Sequence, residues 1–129
     1  MIVADTDVLI DYLRGRGAAD RVELELEHGA LGTTSITTFE LWAGAHDSAQ
    51  LQTIDDLVGA LKILPIAKDE ARAAASVRRD LEKRGLPIGM ADSLIAGACV
   101  HHRVLLLTRN RKHFERVPGL KLATLRVDG

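Results

Sequence analysis

Short apolar runs along the chain alternate with longer segments whose apolar residues recur every three or four positions, the signature of strands alternating with helices. Ile2–Ala4 is an apolar run that stops at Asp5. Val8, Leu9, Ile10 and Leu13 then return at helical spacing, which predicts a buried strand followed by a helix over Asp7–Arg14. In Ala18–His28, Val22, Leu24 and Leu26 alternate with Glu at the strand period, but the Glu-rich, Gly-poor composition and the need for a crossover favour a helix. A strand over Leu31–Ser35 leads into a helix over Thr37–Ala45, capped near Thr37 or Thr38. Leu51, Ile54, Leu57, Val58 and Leu61 form an amphipathic helix face, and Lys62–Ile66 reads as a third strand ended by Pro65. Lys68–Arg84 is a long helix with Ala71, Ala74, Val77 and Leu81 on one side, Gly85 as its cap and Pro87 beyond. Met90–His101 is a helix, Val104–Leu107 the most apolar strand, Arg111–Arg116 a short helix and Leu120–Leu125 a last strand. Strands alternating with helices imply an α/β fold with a parallel sheet of four to five strands and helices on both faces.

Composition narrows this little. The chain has 129 residues, 47% of them hydrophobic and 27% charged, with no repeat, low-complexity tract or long linker, as expected of one domain over residues 1–129. No run reaches transmembrane length and no basic-then-apolar leader opens the chain, so a soluble, cytoplasmic protein with no membrane partner is expected. The single cysteine, Cys99, lies among Ala96, Ala98 and Val100 and reads as a small buried hydrophobe. Charge changes the picture more. The net charge is −1, yet of the 17 Lys and Arg only Arg14, Arg16, Arg21 and Lys62 precede Ile66. The cluster from Arg109 to Arg116 is suited to a polyanion.

The acids then fall into place. Asp5 ends the first strand, Glu40 lies in the first turn of the helix after the second, Asp92 in the first turn of the helix in "PIGMADSLIAGA", and Thr108 and Asn110 end the strand in "VLLLTRN". In a parallel sheet, strand C-terminal ends and the helix starts that follow them share one edge. These residues are therefore expected to converge. Crowded carboxylates resist joint ionisation unless something neutralises them. Hard oxygen ligands of this kind suit Mg²⁺ or Mn²⁺, ions that activate water and stabilise charge on a phosphodiester. Taken singly, Asp5 and Asp92 also read as helix caps and Glu40 as a surface residue.

Four segments in order, "IVADTDVLIDYLRG", "SITTFELWAGA", "PIGMADSLIAGA" and "LLLTRNRKHFERVPGL", resemble those of PIN-domain ribonucleases, most of all the VapC-type toxins of bacterial toxin–antitoxin pairs. The resemblance covers essentially the whole chain. It implies a three-layer PIN-like fold and a Mg²⁺- or Mn²⁺-dependent endoribonuclease that cleaves RNA with a metal-activated water. It also implies a homodimer and a cognate antitoxin protein that blocks the site. By the family pattern, Asp5, Glu40 and Asp92 hold the metal and, with Asn110, are catalytic, while Thr6, Thr108, Arg109, Arg111 and Lys112 engage substrate. Two positions depart from the pattern. Asn110 is neutral where many members carry an acid, and Asp7 is acidic where Asn or Ser is common; Asp7 either restores the missing charge or caps the first helix.

Two rival readings have their own signatures. An apolar strand followed by Asp-x-Asp also begins haloacid-dehalogenase-type phosphatases, but Leu9 stands where that family has Thr or Val, and no paired acidic motif follows a later strand. The neutral Asn110 is the feature of a PIN-like module that grips RNA without cutting it. His101 and His102 close a helix, where a cation suits the dipole; a zinc site there lacks partners, so they read as structural helix-end residues. His113 sits among basic residues near the acidic edge, and Trp42 suits an interface or the core.

Overall fold

A computed structural model describes residues 1–127; the last two residues of the expected single domain, 128–129, lie outside the described residues. The chain runs β1 (Ile2–Ala4), α1 (Thr6–Arg14), α2 (Ala19–Glu27), β2 (Leu31–Thr34), α3 (Ser35–Ala43), α4 (Ser48–Gly59), β3 (Lys62–Leu64), α5 (Lys68–Lys83), α6 (Met90–His102), β4 (Leu105–Leu107), α7 (Arg111–Phe114) and β5 (Lys121–Leu122). The five strands form one sheet in the order β3-β2-β1-β4-β5, with every pair parallel. Val3 pairs with Gly32 on one side and with Leu106 on the other, so β1 is the central strand.

Successive residues on β1 and β4 face opposite sides of the sheet, and each side has its own core. Ala4 and Leu107 pack with Val8, Leu9, Val22, Leu31, Ile54 and Leu57. Val3 and Leu106 pack with Val77, Leu81, Ile95, Cys99 and Phe114. The all-apolar sequences of β1 and β4 follow from being covered on both faces. Burial pushes the Cys99 thiol up to about 12, which fits its reading as an inert core residue.

Ala19–Glu27 is helical, as the composition of the segment implied. The strand-like alternation arose because the inward face of α2 carries a charged pair. Arg21 and Glu25, four residues apart, are both buried and bonded at 2.5 Å, and Arg21 Nε also donates to the Thr124 carbonyl at 2.9 Å. Most boundaries shift from expectation by one or two residues, β3 ending at Leu64 and α7 at Phe114, and two differences bear on the site and the sheet edge. α3 begins at Ser35 with Thr34 as its cap, the Thr34 hydroxyl accepting from Thr37 N–H, so Glu40 lies in the second turn and not the first. The last strand covers only Lys121–Leu122. Pairing stops once Ala123 N–H has donated to the Leu106 carbonyl, because Arg111 and Arg21 then take the carbonyls of Ala123 and Thr124.

α5 ends in a Schellman turn: Leu86 N–H donates to the Leu81 carbonyl and Gly85 N–H to that of Glu82, with Gly85 at φ +71. Further along, α5 and α6 cross where Gly97 abuts Ala74, so closely that a Cβ on Gly97 would overlap the Ala74 backbone.

Candidate active site

The chain lays β2 and β3 on one side of β1, then returns to lay β4 and β5 on the other. The C-terminal ends of β1 and β4 therefore flank a topological switch point, where open α/β sheets bind ligands. Asp5 leaves β1 there, its N–H bonded to the Leu107 carbonyl of β4 at 2.9 Å. Thr108, the next residue after β4, is fully buried and donates its hydroxyl to Asp5 Oδ2 at 2.7 Å. The other carboxylate oxygen of Asp5 accepts from Thr6 N–H at 2.8 Å. Asp5 is thus both the N-cap of α1 and the buried acid of the site, with 6% of its surface exposed.

Three further acids approach. The Asp7 carboxylate accepts from Arg109 N–H through Oδ2 at 3.1 Å, while its Oδ1 is buried with no partner. Asp92, in the first turn of α6, is close enough that its charge acts on Asp5, and it lies 3.1 Å from His113 Nε2. That contact is out of hydrogen-bond alignment, while Arg116 lies 2.9 Å from the ring's Nδ1. Glu40 connects through Thr6, whose hydroxyl lies 2.8 Å from Glu40 Oε1 and 3.0 Å from the Thr37 hydroxyl. Having one proton, Thr6 gives it to the carboxylate and accepts from Thr37.

The electrostatics follow. Burial, the nearby Asp7 and, more weakly, Asp92 raise the Asp5 carboxyl from 3.8 to about 6, against the lowering hydrogen bonds of Thr108 and Thr6. Burial also raises Asp7, partly offset by the Arg109 amide and charge. These are acids held together at a cost, which a cation would relieve. The carboxylates of Asp5, Glu40 and Asp92 share this edge without closing to the spacing of one ion's shell. Among the described residues, the one set of three His, Cys, Asp or Glu side chains with ligand atoms all within 4.8 Å of one another is Glu70, His101 and His102.

The family model described as "PIN domain" matches residues 2–120. The chain belongs to the PIN domain family. Among its PIN relatives it is 30% identical over 121 residues to the tRNA(fMet)-specific endonuclease VapC of Shigella flexneri, covering 91% of this chain and 92% of that protein. It is 34% identical over 123 residues to Ribonuclease VapC1 of Methanocaldococcus jannaschii, covering 94% of this chain and 85% of the relative. In structure it is similar to the DNA-bound VapBC of Salmonella typhimurium, with a TM-score of 0.85, 25% identity and coverage of 97% and 98% of the two chains. The sheet and its helical layers are those of this PIN fold, and the chain is a PIN-domain nuclease of the VapC group.

The basic residues expected to meet substrate divide. Arg109 is 52% exposed but its Nε lies 2.9 Å from Asp11 Oδ2, a carboxylate with 3% exposure that also accepts from Ala18 N–H. Arg111 Nη1 donates to the Ala123 carbonyl at 2.6 Å and ties down the end of β5. Lys112 and the Asn110 side chain are exposed. Two residues escaped sequence reading. Asp11 reads as a polar position on the surface of a helix, and its burial becomes visible only when α2 folds over it. Glu70 reads as a first-turn acid of α5. His113 faces Asp92 rather than open solvent, and Trp42 lies at the surface with its ring N–H donated to Asp55 at 2.9 Å.

Proposed function

We propose that the protein is a Mg²⁺- or Mn²⁺-dependent endoribonuclease that hydrolyses RNA phosphodiesters and acts as the toxin of a toxin–antitoxin pair. One observation carries the reading: a buried aspartate at the switch point of the sheet, held by two threonines and crowded by Asp7 and Asp92. The donor set fits a hard divalent ion. The unpartnered Asp7 Oδ1 and the raised Asp5 carboxyl both mark negative charge that Arg109 only partly offsets. Asp5 and Asp92 would hold the ion, with Glu40 reaching in from α3 and Asp7 supplying the charge that Asn110 lacks. A bound divalent ion supplies Lewis acidity, which stabilises charge on the phosphoryl oxygens and lowers the pKa of water.

The chain's own residues do the positioning. Thr108 fixes the Asp5 carboxylate, and Thr6 aims Glu40. Asn110, exposed beside the pocket, offers an amide to a phosphate oxygen. Lys112 and the outward part of the Arg109 guanidinium attract flanking phosphates; Arg111 lends charge while anchored to Ala123.

Two surfaces suit the protein partners. A groove of about 510 Å³ between α1, α3 and α4 has Ile10, Leu13, Leu41 and Ile54 in its wall together with Glu40, a place where an apolar antitoxin segment would lie beside the acidic pocket. Phe39 on α3 and Met90 on α6 are each 68% exposed, on helices that pack together, and we assign them to the face a second copy covers.

The deciding experiment is cleavage of cellular RNA by purified protein with Mg²⁺ or Mn²⁺, with EDTA, and with Asp5→Asn. Cutting that needs both the ion and Asp5 is expected. Equal cutting by Asp5→Asn overturns the site assignment. Mn²⁺ and RNA binding without cutting points to a binding module, and vanadate-sensitive turnover of a small phosphomonoester to a phosphatase.

A further inference from the structure

The crossing of α5 and α6 creates a second cluster of metal-ligating groups. Gly97 meets Ala74 with no room for a methyl group between them. Glu70 is one turn before Ala74 on α5, and His101 is one turn after Gly97 on α6, with His102 next. Backbone contact at the crossing therefore sets the first turn of α5 against the last turn of α6. Glu70 Oε2 lies 2.7 Å from His102 Nε2, and the His101 and His102 rings stand edge to face with centroids 4.9 Å apart. One ligand atom from each of the three lies within 4.8 Å of the other two.

The carboxylate is pre-oriented. Glu70 is 6% exposed, and its Oε1 accepts from Ala67 N–H at 3.1 Å, leaving Oε2 directed at the histidines. A ligand whose second oxygen is held by a backbone amide is the usual support of a built metal site. His101 and His102 are exposed, so the outer side stays open to water as a further ligand.

We propose that Glu70, His101 and His102 bind a borderline divalent transition metal, zinc fitting the donor set best, and that the ion clips the start of α5 to the end of α6. Two imidazoles and one carboxylate suit zinc, nickel or copper, whereas Mg²⁺ prefers oxygen alone. Donors at about 2.0–2.1 Å from a tetrahedral ion stand roughly 3.3 Å apart. The His102 ring therefore moves out by about half an ångström from its present hydrogen bond, a shift that an exposed ring at a helix end makes readily. Ten residues at about 1.5 Å each separate His102 from Asp92, some 15 Å along α6. The site is distinct from the acidic pocket.

The test titrates the metal-stripped full chain with Zn²⁺ in buffer containing excess Mg²⁺, followed by calorimetry and thermal unfolding, with Co²⁺ absorption reporting imidazole ligation. Stoichiometric binding and a raised Tm are expected. His101→Ala and Glu70→Gln should each weaken binding at least about tenfold. His101 is exposed, and the Gln side-chain oxygen keeps the bond to Ala67 N–H, so both variants should fold. Asp5→Asn should leave the titration unchanged. No binding, binding that survives both substitutions, or binding that disappears with Asp5→Asn overturns the proposal and leaves Glu70 and His102 as an ion pair between helix ends.

Discussion

The Thr108 hydroxyl donates to Asp5 Oδ2 at 2.7 Å across the seam between β1 and β4, joining residues 103 positions apart. Thr108 also accepts from Asn110 N–H at 3.1 Å, and of the two carboxylates its single proton faces, Asp5 at 2.7 Å is much nearer than Asp7 Oδ2 at 3.4 Å. Thr108→Val keeps the shape and removes the proton. A hydrogen bond to a charged group contributes about 1.5–3 kcal/mol. Its loss should raise the Asp5 carboxyl further and weaken Mn²⁺ binding at pH 7 by roughly two- to fifteenfold. Binding should recover toward pH 8.5, where Asp5 ionises regardless. Calorimetric titration at both pH values checks this; equal weakening at each contradicts it.

The raised Asp5 carboxyl has a stability consequence of definite sign. Below pH 3.8 the group is protonated in both folded and unfolded chains, and above about 6 it is ionised in both. Between these values the folded chain holds the extra proton, so stability falls as pH rises through the window. The rise from 3.8 to about 6 corresponds to roughly 3 kcal/mol for this buried group. Raised Asp7 acts in the same direction. Urea unfolding in EDTA should therefore show Asp5→Asn more stable than the parent at pH 8 and the difference shrinking by pH 4. Mg²⁺ or Mn²⁺ should stabilise the parent at pH 8 and not the variant. Asp5→Asn unfolding more easily than the parent at pH 8 in EDTA would falsify the electrostatic account.

Arg109 and Lys112 should separate when each is changed to Ala. Arg109→Ala strips the counter-charge from buried Asp11, but half of the arginine side chain is exposed and solvent screens the pair. The cost should be about 1–2 kcal/mol, below that of a fully buried pair. Lys112→Ala should change stability by less than about 0.5 kcal/mol. It should instead lower the dependence of log K on log salt for single-stranded RNA by about 0.7. Thermal unfolding and binding across a salt series distinguish the two effects.

The order of strands and helices was legible because apolar residues recur at period two or at helical spacing, and the covered strands β1 and β4 are wholly apolar. The polar corner was legible because a parallel sheet places Asp5, Asp92 and Thr108 on one edge whatever the loop details. What the sequence did not disclose depends on long-range pairing. Thr34 caps α3 from inside a buried strand, so the helix starts earlier than Thr37 and Glu40 rotates into its second turn. Arg109 and Arg111 look like a basic cluster, but Asp11 and the Ala123 carbonyl claim them. His101 and His102 lacked a partner in the sequence around them, and Glu70 is 32 positions from His102.

Gly97 is the residue on which both ends of α6 depend. Its missing side chain lets α6 rest against the Ala74 backbone, with Asp92 toward one end of the helix and His101 and His102 at the other. Gly97→Ala has a favourable helix term of about 1 kcal/mol. The added methyl group, however, meets backbone atoms of α5, which no rotamer change can move aside. Overpacking of a tight contact costs about 1–3 kcal/mol or more, so the net effect should be destabilising. The separation of the helices should also displace both ends. Zn²⁺ binding should fall because Glu70 is drawn from the histidines, and RNA cleavage should fall because Asp92 leaves its place beside Asp5. Exposed Gly59, at the end of α4, has open space at its Cβ position. Gly59→Ala should be neutral or stabilising in the same unfolding assay and should leave both activities intact. If Gly97→Ala behaves like Gly59→Ala, the close crossing of α5 and α6 is not what fixes the two sites.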